Sequence, residues 1–467
     1  MINIIKIRKI ILPLAMILIL NTSCSDTSKV EVIRDVAEAS IERYPGVISS
    51  ERIKLESFPV YDKYSSEPLE IDLRNCDITL LNLLDKFDAL LRADFDTRTI
   101  WPYSLPEGIN PKKILETGKC PGPGIRQMHK EGVNGKGVGI AVIASPPLAE
   151  HSEYAGRIKL YREIGGEDEN TVIIKPDKEK ESAGGNTVII KSPEEADRTA
   201  GSHNAANPET TASAEPLSAS YEGTAIASII AGRTTGVAPG AVLYYFSPVL
   251  DMSGSDNSDD KLSCIIKALE EISDLNDKLP PEDKIRAVVI ENCLLTGKFM
   301  SENSDKLQST VTHMLDSGVL LLPSGLVSSV SKAYNVKCLG RSPLSSPDKL
   351  ESYGAGYEWE IQFLTYNDDF ETVKNGCFLV PGDSRTTASP TGNQDYVFNR
   401  AGGVDFATAY LAGLYALACQ AYPAVTPDSF IKAAINTGRE ITVEKYGLKR
   451  SIKYVLDPLR IVENIGA

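Results

Sequence analysis

Two acidic side chains stand beside segments that are rich in small residues. Glu222 lies two positions before the run 224–231, and Asp405 lies two positions before an Ala- and Leu-rich run at 407–421. Both runs favour helices, so each carboxyl group is predicted to lie near the first turn of a helix. Carboxyl groups can exchange protons with a bound ligand or bind hard cations through oxygen. Glu222 and Asp405 are therefore the first candidates for a functional site.

Two further segments end predicted strands with side chains that offer little chemistry. The apolar run 139–143 is predicted to be a strand, and Ala144 and Ser145 follow it. A second strand is predicted at 319–322, and a Pro-Ser-Gly turn leads from it to Leu326. A methyl group cannot orient a catalytic base, and a leucine side chain cannot donate a hydrogen bond to a developing oxyanion.

Taken in order, four segments resemble motifs of the subtilisin-like serine peptidases (subtilases). Residues 135–145 are similar to the strand that ends on the catalytic Asp, and 221–240 to the His-Gly-Thr helix with its Gly-Val-Ala-Pro turn. Residues 317–326 resemble the strand and turn that present the oxyanion-hole Asn, and 402–413 resemble the segment that carries the nucleophilic Ser. The resemblance extends over about 330 residues, and it implies a subtilisin-like fold.

The same resemblance implies that the catalytic residues are missing. Ala144 takes the Asp position, Glu222 the His position and Asp405 the Ser position, while Leu326 falls at the oxyanion position. A serine hydrolase needs a hydroxyl nucleophile, a base and a group that orients the base. The chain is therefore identified as a pseudopeptidase that binds a peptide or protein partner, with no catalytic residues expected.

Several alternatives remain open for the pair of acidic residues. The resemblance implies that Glu222 and Asp405 face each other across the cleft, where two close carboxyl groups raise one pKa and can share a proton. They could serve a hydrolase with a remodelled acidic site, and the related sedolisins carry Glu at the His position. They could also bind a cation, or be polar residues tolerated after catalysis was lost. A residual serine-type peptidase and a structural envelope protein without a ligand complete the alternatives.

The pattern of strands and helices predicts an α/β fold, a doubly wound parallel sheet with helices on both faces, over 119–460. A small N-terminal α+β region is expected at 25–118, with helices at 25–45 and 80–91. An insertion at about 164–219 has the polar composition of a surface loop. Its repeated NTVIIK segments, 170–175 and 186–191, could pair as a hairpin.

The first 24 residues have the pattern of a bacterial lipoprotein signal peptide. Lys6, Arg8 and Lys9 precede an apolar run at 10–20, and Cys24 stands where such signals carry their lipid-modified cysteine, although Asn21 departs from the usual apolar residue. The protein is therefore expected to be exported to the bacterial cell envelope and to contact the membrane through a lipid anchor on Cys24.

Composition excludes some partners. The formal net charge of −14 argues against nucleic acid, because phosphate binding needs a basic surface. The seven cysteines after Cys24 include no CxxC pair, so metal-ligand spacing is absent, and free buried thiols are expected. No cofactor and no metal are predicted. The four histidines do not stand at the catalytic His position and are expected to be surface or satisfied core residues.

Overall fold

A computed structural model describes residues 40–41, 45–60, 71–165, 174–175, 218–249, 258–291, 294, 301–323, 335–360, 363, 377–445 and 447–465. The strands in these ranges are β1 (Ser40–Ile41), β2 (Ile53–Lys54), β3 (Ile71–Asp72), β4 (Cys76–Asp77), β5 (Ala93–Asp96), β6 (Gly139–Ile143), β7 (Ile158–Ile164), β8 (Ile174–Lys175), β9 (Val242–Pro248), β10 (Ile285–Ile290), β11 (Leu320–Pro323), β12 (Asn335–Arg341), β13 (Tyr353–Ala355), β14 (Cys377–Pro381), β15 (Arg385–Ala388), β16 (Tyr396–Asn399), β17 (Arg439–Lys445) and β18 (Leu448–Val455).

The helices follow the same order along the chain. They are α1 (Phe87–Leu90), α2 (Pro111–Gly118), α3 (Ile125–Lys130), α4 (Tyr221–Ala231), α5 (Ser258–Lys278), α6 (Ser301–Asp316), α7 (Gly403–Ala421), α8 (Pro427–Thr437) and α9 (Pro458–Ile465). Within the ranges that the structure describes, none of them is both long enough and apolar enough to cross a membrane.

The central sheet is parallel throughout, in the order β11-β10-β6-β9-β7. Both of its faces are buried, because alternate residues of β6 enter different cores. Ile140 and Val142 pack with α4, α7 and α8, whereas Ala141 and Ile143 pack with α5 and α6. A strand covered on both faces needs an apolar residue at every position, which is what the sequence of β6 provides. The prediction of a doubly wound parallel sheet with helices on both faces is confirmed.

The described ranges contain two more large sheets and two two-stranded ones, β1-β8 and β2-β4. One large sheet has the order β13-β12-β14-β18-β17, with β12, β14 and β18 parallel. The other has the order β15-β16-β5-β3, in which β5 of the N-terminal region pairs antiparallel with β16. Phe95 of β5 and Phe398 of β16 lie opposite each other and share one buried cluster. The N-terminal region therefore contributes strands to a sheet that late residues of the chain complete.

Two local predictions differ from the structure. Ser40–Ile41, inside the helix predicted at 25–45, is a strand that pairs with Ile174–Lys175; residues 25–39 and 42–44 lie outside the described ranges. The expected hairpin of the two repeats stays a prediction, because 170–173 and 186–191 also lie outside those ranges. The helix predicted at 80–91 is restricted to Phe87–Leu90.

The residues just before Phe87 form hydrogen-bonded turns and not a helix. The amide of Leu81 donates to the carbonyl of Ile78, and the amide of Lys86 donates to that of Leu83, both of which are three-residue turn contacts. Asn82 contributes to this outcome, because its side chain accepts a hydrogen bond from the Leu84 amide, 3.2 Å away. Such local side-chain bonds compete with helical ones.

Candidate functional site

The candidate site lies at the carboxyl ends of β6 and β10, which are neighbours in the parallel sheet. In open α/β sheets this edge is where ligands usually bind. Ala144 follows β6 directly, is fully buried and donates its amide hydrogen to the carbonyl of Phe246, 3.1 Å away. At the position where the sequence resemblance places an Asp, the structure therefore has a methyl group inside the core.

The next residue, Ser145, is held by a carboxylate from β10. Its amide and its hydroxyl both donate to Oε2 of Glu291, at 2.6 and 2.7 Å. Glu291 directly follows β10 and is 4% exposed, and its own amide donates to the carbonyl of Ile143. The hydroxyl of Tyr245 donates to the Ser145 carbonyl at 2.8 Å. These contacts fix Ser145 at the rim of the sheet.

Glu222 is brought to the same place by the start of α4. Ser220 is the N-cap of this helix, and its side chain accepts a hydrogen bond from the Gly223 amide at 2.8 Å. The Ser220 amide donates to the carbonyl of Pro146, which joins the helix start to the loop after β6. Gly223 packs directly on the Ser145 carbonyl, and a β-carbon at this position would overlap that oxygen. Glu222, which keeps some exposure to solvent, is thereby set next to Ser145.

Asp405 is placed by the start of α7. Gly403 has a φ of +63°, which a side chain would strain, and a β-carbon there would also press on a carboxylate oxygen of Glu358 at 2.7 Å. Asp383 fixes this turn, because its Oδ1 accepts hydrogen bonds from the amides of Gly402 and Gly403 at 2.8 and 3.3 Å. Asp405 then lies in the first turn of the helix, partly exposed.

The three carboxyl groups interact. Burial raises the pKa of Glu222 well above its ordinary value, and the nearby charges of Asp405 and Glu291 raise it further. Glu222 is thus held as a neutral acid over a wider pH range than an exposed glutamate. Among the residues that the structure describes, no group of three or more His, Cys, Asp or Glu side chains is arranged to hold a metal ion.

Sequence reasoning identified Glu222 and Asp405, but it did not identify Glu291. The motif resemblance directed attention to the positions of the missing triad, and β10 carries none of them. A usable signal was present, since Glu291 is the first polar residue after the buried strand Ile285–Ile290 and that strand neighbours β6. Leu326 and Cys24 lie outside the described ranges, so their roles stay predictions.

Other groups that could do chemistry are engaged elsewhere. The hydroxyl of Thr408, one turn after Asp405, is buried and donates to the carbonyl of Val404 at 2.8 Å. His151 is fully buried; its Nε2 donates to the carbonyl of Asp395 at 2.8 Å, while its Nδ1 accepts from the amide of Glu153. Burial lowers the pKa of His151. It is a satisfied core residue, as expected for these histidines.

The other histidines and the cysteines in the described ranges are also surface or core residues, as expected. His129 is half-buried with its Nε2 2.8 Å from the carbonyl of Val237, and His313 is exposed, whereas His203 lies outside the described ranges. The described cysteine side chains are free thiols, with Cys264 partly exposed and the others buried, namely Cys76, Cys120, Cys338 and Cys419.

The chain is similar to several solved structures at low sequence identity. No protein-family model matches the chain. A prenylagaramide maturation protease, PagA, has 15% identity and a TM-score of 0.42, over 73% of this chain and 98% of that one. The PatG macrocyclase with a bound peptide has 15% identity and a TM-score of 0.39, over 68% and 87%. The PatG macrocyclase domain has 15% identity and a TM-score of 0.38, over 68% and 90%. The chain is thus similar to a maturation protease and a macrocyclase at low identity, and its membership of the subtilases stays a prediction from the sequence.

Proposed function

We propose that the protein is a subtilisin-like pseudopeptidase that binds a peptide segment in the acidic cleft without cleaving it. The observation that carries this proposal is the cluster of Glu222, Asp405 and Glu291, with the methyl group of Ala144 beside it. Ala144, Glu222 and Asp405 stand where the sequence resemblance expects the acid, base and hydroxyl that acyl transfer requires. Binding without hydrolysis is what such a cleft supports best.

The charge of the cleft favours a ligand with a cationic group. A lysine or arginine side chain next to Glu222 would stabilise the ionised carboxylate, the form that burial and the charges of Asp405 and Glu291 disfavour in the empty cleft. Binding of such a ligand at a pH below the raised pKa of Glu222 would then release a proton. Affinity should therefore rise as the pH rises through that pKa.

The test compares two acetylated, amidated hexapeptides that differ only in a central lysine or norleucine. We expect the lysine peptide to bind at least tenfold more tightly than the norleucine peptide, which corresponds to about 1.4 kcal/mol. Glu222→Gln and Asp405→Asn should each remove most of that preference, as measured by titration calorimetry between pH 5 and 8. Glu150→Gln, at an exposed position near the same loop, is the matched control and should change nothing. Equal affinity for the two peptides in the wild-type protein would contradict the proposal.

A second candidate is a hydrolase with a remodelled acidic site that uses Glu222 and Asp405. The observation that favours it is the hydrogen bond from the Ser145 hydroxyl to the Glu291 carboxylate, 2.7 Å long, near Glu222, whose pKa is raised by burial and by the charges of Asp405 and Glu291. Cleavage of the lysine peptide that is lost in both Glu222→Gln and Asp405→Asn would establish this function and refute the first one. Intact peptide after prolonged incubation at acidic and neutral pH would exclude it.

The proposal also places the protein at the cell envelope, as the sequence of residues 1–24 predicts. Expression of the full chain in a bacterium fed with a labelled fatty acid should give labelled protein in the membrane fraction. Cys24→Ser should lose the label and leave the membrane, whereas Cys264→Ser, which changes a partly exposed thiol in the folded part, should keep both properties. A label that survives Cys24→Ser would contradict lipidation at this residue.

A further inference from the structure

A cavity of about 530 Å³ lies away from the acidic cleft, between the N-terminal region and the second sheet. Arg92, just after α1, lines one side, and residues of β12, β13 and β17 line the other. Gly340, Gly354 and Ala355 contribute almost no side chain, which keeps the space open. Its volume lies within the range of about 300–1,000 Å³ that small-molecule sites occupy. The charges around it are unevenly distributed.

Positive charge is concentrated in the inner part of the cavity. Arg341 is 5% exposed, and its guanidinium donates to the carbonyl oxygens of Ser342, Ser345 and Ser384 at 2.9, 2.9 and 2.6 Å. Those acceptors are uncharged, so they hold Arg341 in place and leave its positive charge uncompensated. Arg400 is half-buried and also lines the cavity.

The guanidinium of Arg400 has no hydrogen-bond acceptor among the described residues. Its Nε and Nη1 atoms are both buried. It lies 5.3 Å from the ring centre of Tyr357, which is also 5.6 Å from the guanidinium of Arg92. A buried donor without an acceptor costs about 1–3 kcal/mol. Arg400 thus brings a positive charge, which no described carboxylate hydrogen-bonds, to the wall of a cavity large enough for a small anion.

The acidic residue beneath Arg400 does not neutralise it. Asp94 is 2% exposed, and burial raises its pKa to about 7, so the group is only partly ionised at neutral pH. Its Oδ1 accepts a hydrogen bond from the backbone amide of Arg400 at 2.5 Å, not from the guanidinium. The charge of Arg400 is thus available to a ligand.

The outer part of the cavity has the opposite charge. Asp88, Glu351 and Glu444 line it and are all exposed to solvent, and Glu351 lies 3.6 Å from the guanidinium of Arg439. A fourth acidic residue of the lining, Glu360, is half-buried. A ligand with an anionic group would place that group at Arg400 and Arg341, and a cationic group on the same ligand would face the acidic rim. This distribution fits a zwitterion better than a simple anion, for which the rim would be repulsive.

We propose that this cavity binds the free carboxylate of an amino acid or a short peptide, with the carboxylate at Arg400 and the amino group towards Asp88, Glu351 and Glu444. The Nη1 and Nη2 atoms of Arg341 are held by the carbonyl groups of Ser342, Ser345 and Ser384, whereas the charge of Arg400 has no hydrogen-bonded carboxylate and can attract that of a ligand. Arg400 is therefore the residue that holds the ligand.

The probes are triglycine with a free carboxylate, triglycine amide, and inorganic phosphate, titrated into the full folded protein by calorimetry at pH 7. We expect the free acid to bind at least tenfold more tightly than the amide and more tightly than phosphate. Arg400→Met should weaken binding of the free acid at least tenfold, and Arg400→Lys should restore part of it. Arg126→Gln, at an exposed arginine outside the cavity, is the matched control.

Each possible result of these titrations either supports or refutes the carboxylate site. Equal affinity for the acid and the amide would refute carboxylate recognition, and tighter binding of phosphate would show a general anion site instead. Binding of the free acid that survives Arg400→Met would place the ligand elsewhere. Thermal unfolding of each variant shows that a loss of binding is not a loss of folding, and Arg400→Lys gives a second test if Arg400→Met fails to fold.

Discussion

Replacing Gly223 by alanine is expected to lower the free energy of unfolding by about 3 kcal/mol, at the upper end of the cost of overpacking a core. A β-carbon at this position would overlap the carbonyl oxygen of Ser145 and approach its carbonyl carbon to 2.8 Å. Both contacts are with backbone, so no side-chain rotation can relieve them. The start of α4 would have to move away from the loop after β6, and Glu222 would move with it.

The measurement is chemical denaturation of the wild-type protein and the variant. Gly46→Ala is the matched control, because a β-carbon at Gly46 meets no atom within 4 Å and its backbone is not strained. We expect this control to change the free energy of unfolding by less than about 1 kcal/mol. Two variants of equal stability would mean that the close approach of Gly223 and Ser145 is not a constraint. The Gly223 variant should also lose the lysine-peptide preference, since its Glu222 is displaced.

Replacing Glu153 by alanine is expected to cost about 3 kcal/mol or more, because it leaves several buried donors without an acceptor. Glu153 is 3% exposed and accepts hydrogen bonds from the hydroxyl of Tyr396 at 2.7 Å and from the amide and hydroxyl groups of Thr234 and Thr235. It joins the segment after β6, the turn after α4 and β16. Its loss should therefore loosen contacts between three parts of the fold.

The pH dependence of stability gives a second view of Glu153. Burial alone would raise its pKa, but hydrogen bonds from Thr234, Tyr396 and Thr235 outweigh burial and lower it. A carboxyl group with a lowered pKa stabilises the fold above its unfolded pKa of about 4.3, and that contribution is lost as the pH falls through the folded value. The difference in unfolding free energy between wild type and Glu153→Gln should therefore shrink below pH 4. Glu150→Gln, exposed and three positions away, should show no such trend.

The sequence predicted four of the five central strands, because β6, β9, β10 and β11 are largely apolar runs. The edge strand β7 was missed, since its apolar residues are interrupted by Lys159, Arg162 and Glu163. The run 139–143 could only be a strand covered on both faces, and β6 has those bounds. The small-residue segments that contain Glu222 and Asp405 are likewise the first turns of α4 and α7. Periodicity and composition were sufficient for these elements.

Other features depend on contacts that periodicity does not record. Leu80 and Leu84 suggested a helix, yet both are exposed, and local turn bonds decide the backbone there. Strands of the second sheet can be mixed in polarity, as in Leu448–Val455, where buried and exposed residues alternate irregularly. Glu291 is part of the site because β10 lies next to β6 in the sheet. The order of strands in a sheet cannot be read from a local sequence pattern.

The pairing of β5 with β16 determines how late in synthesis this sheet can be completed. Thr97 and Asp395, which contact each other through a side-chain hydrogen bond, are 298 positions apart in the chain. Contacts between residues so far apart in the chain form slowly. Ordering the long segment between them costs conformational entropy before the contact can stabilise the fold. One edge of β5 pairs with β3, but its other edge has no partner until residues near 396 have been synthesised. The part of Phe95 that packs on Phe398 must therefore stay exposed, or be covered by something else, for most of the time that the chain takes to emerge.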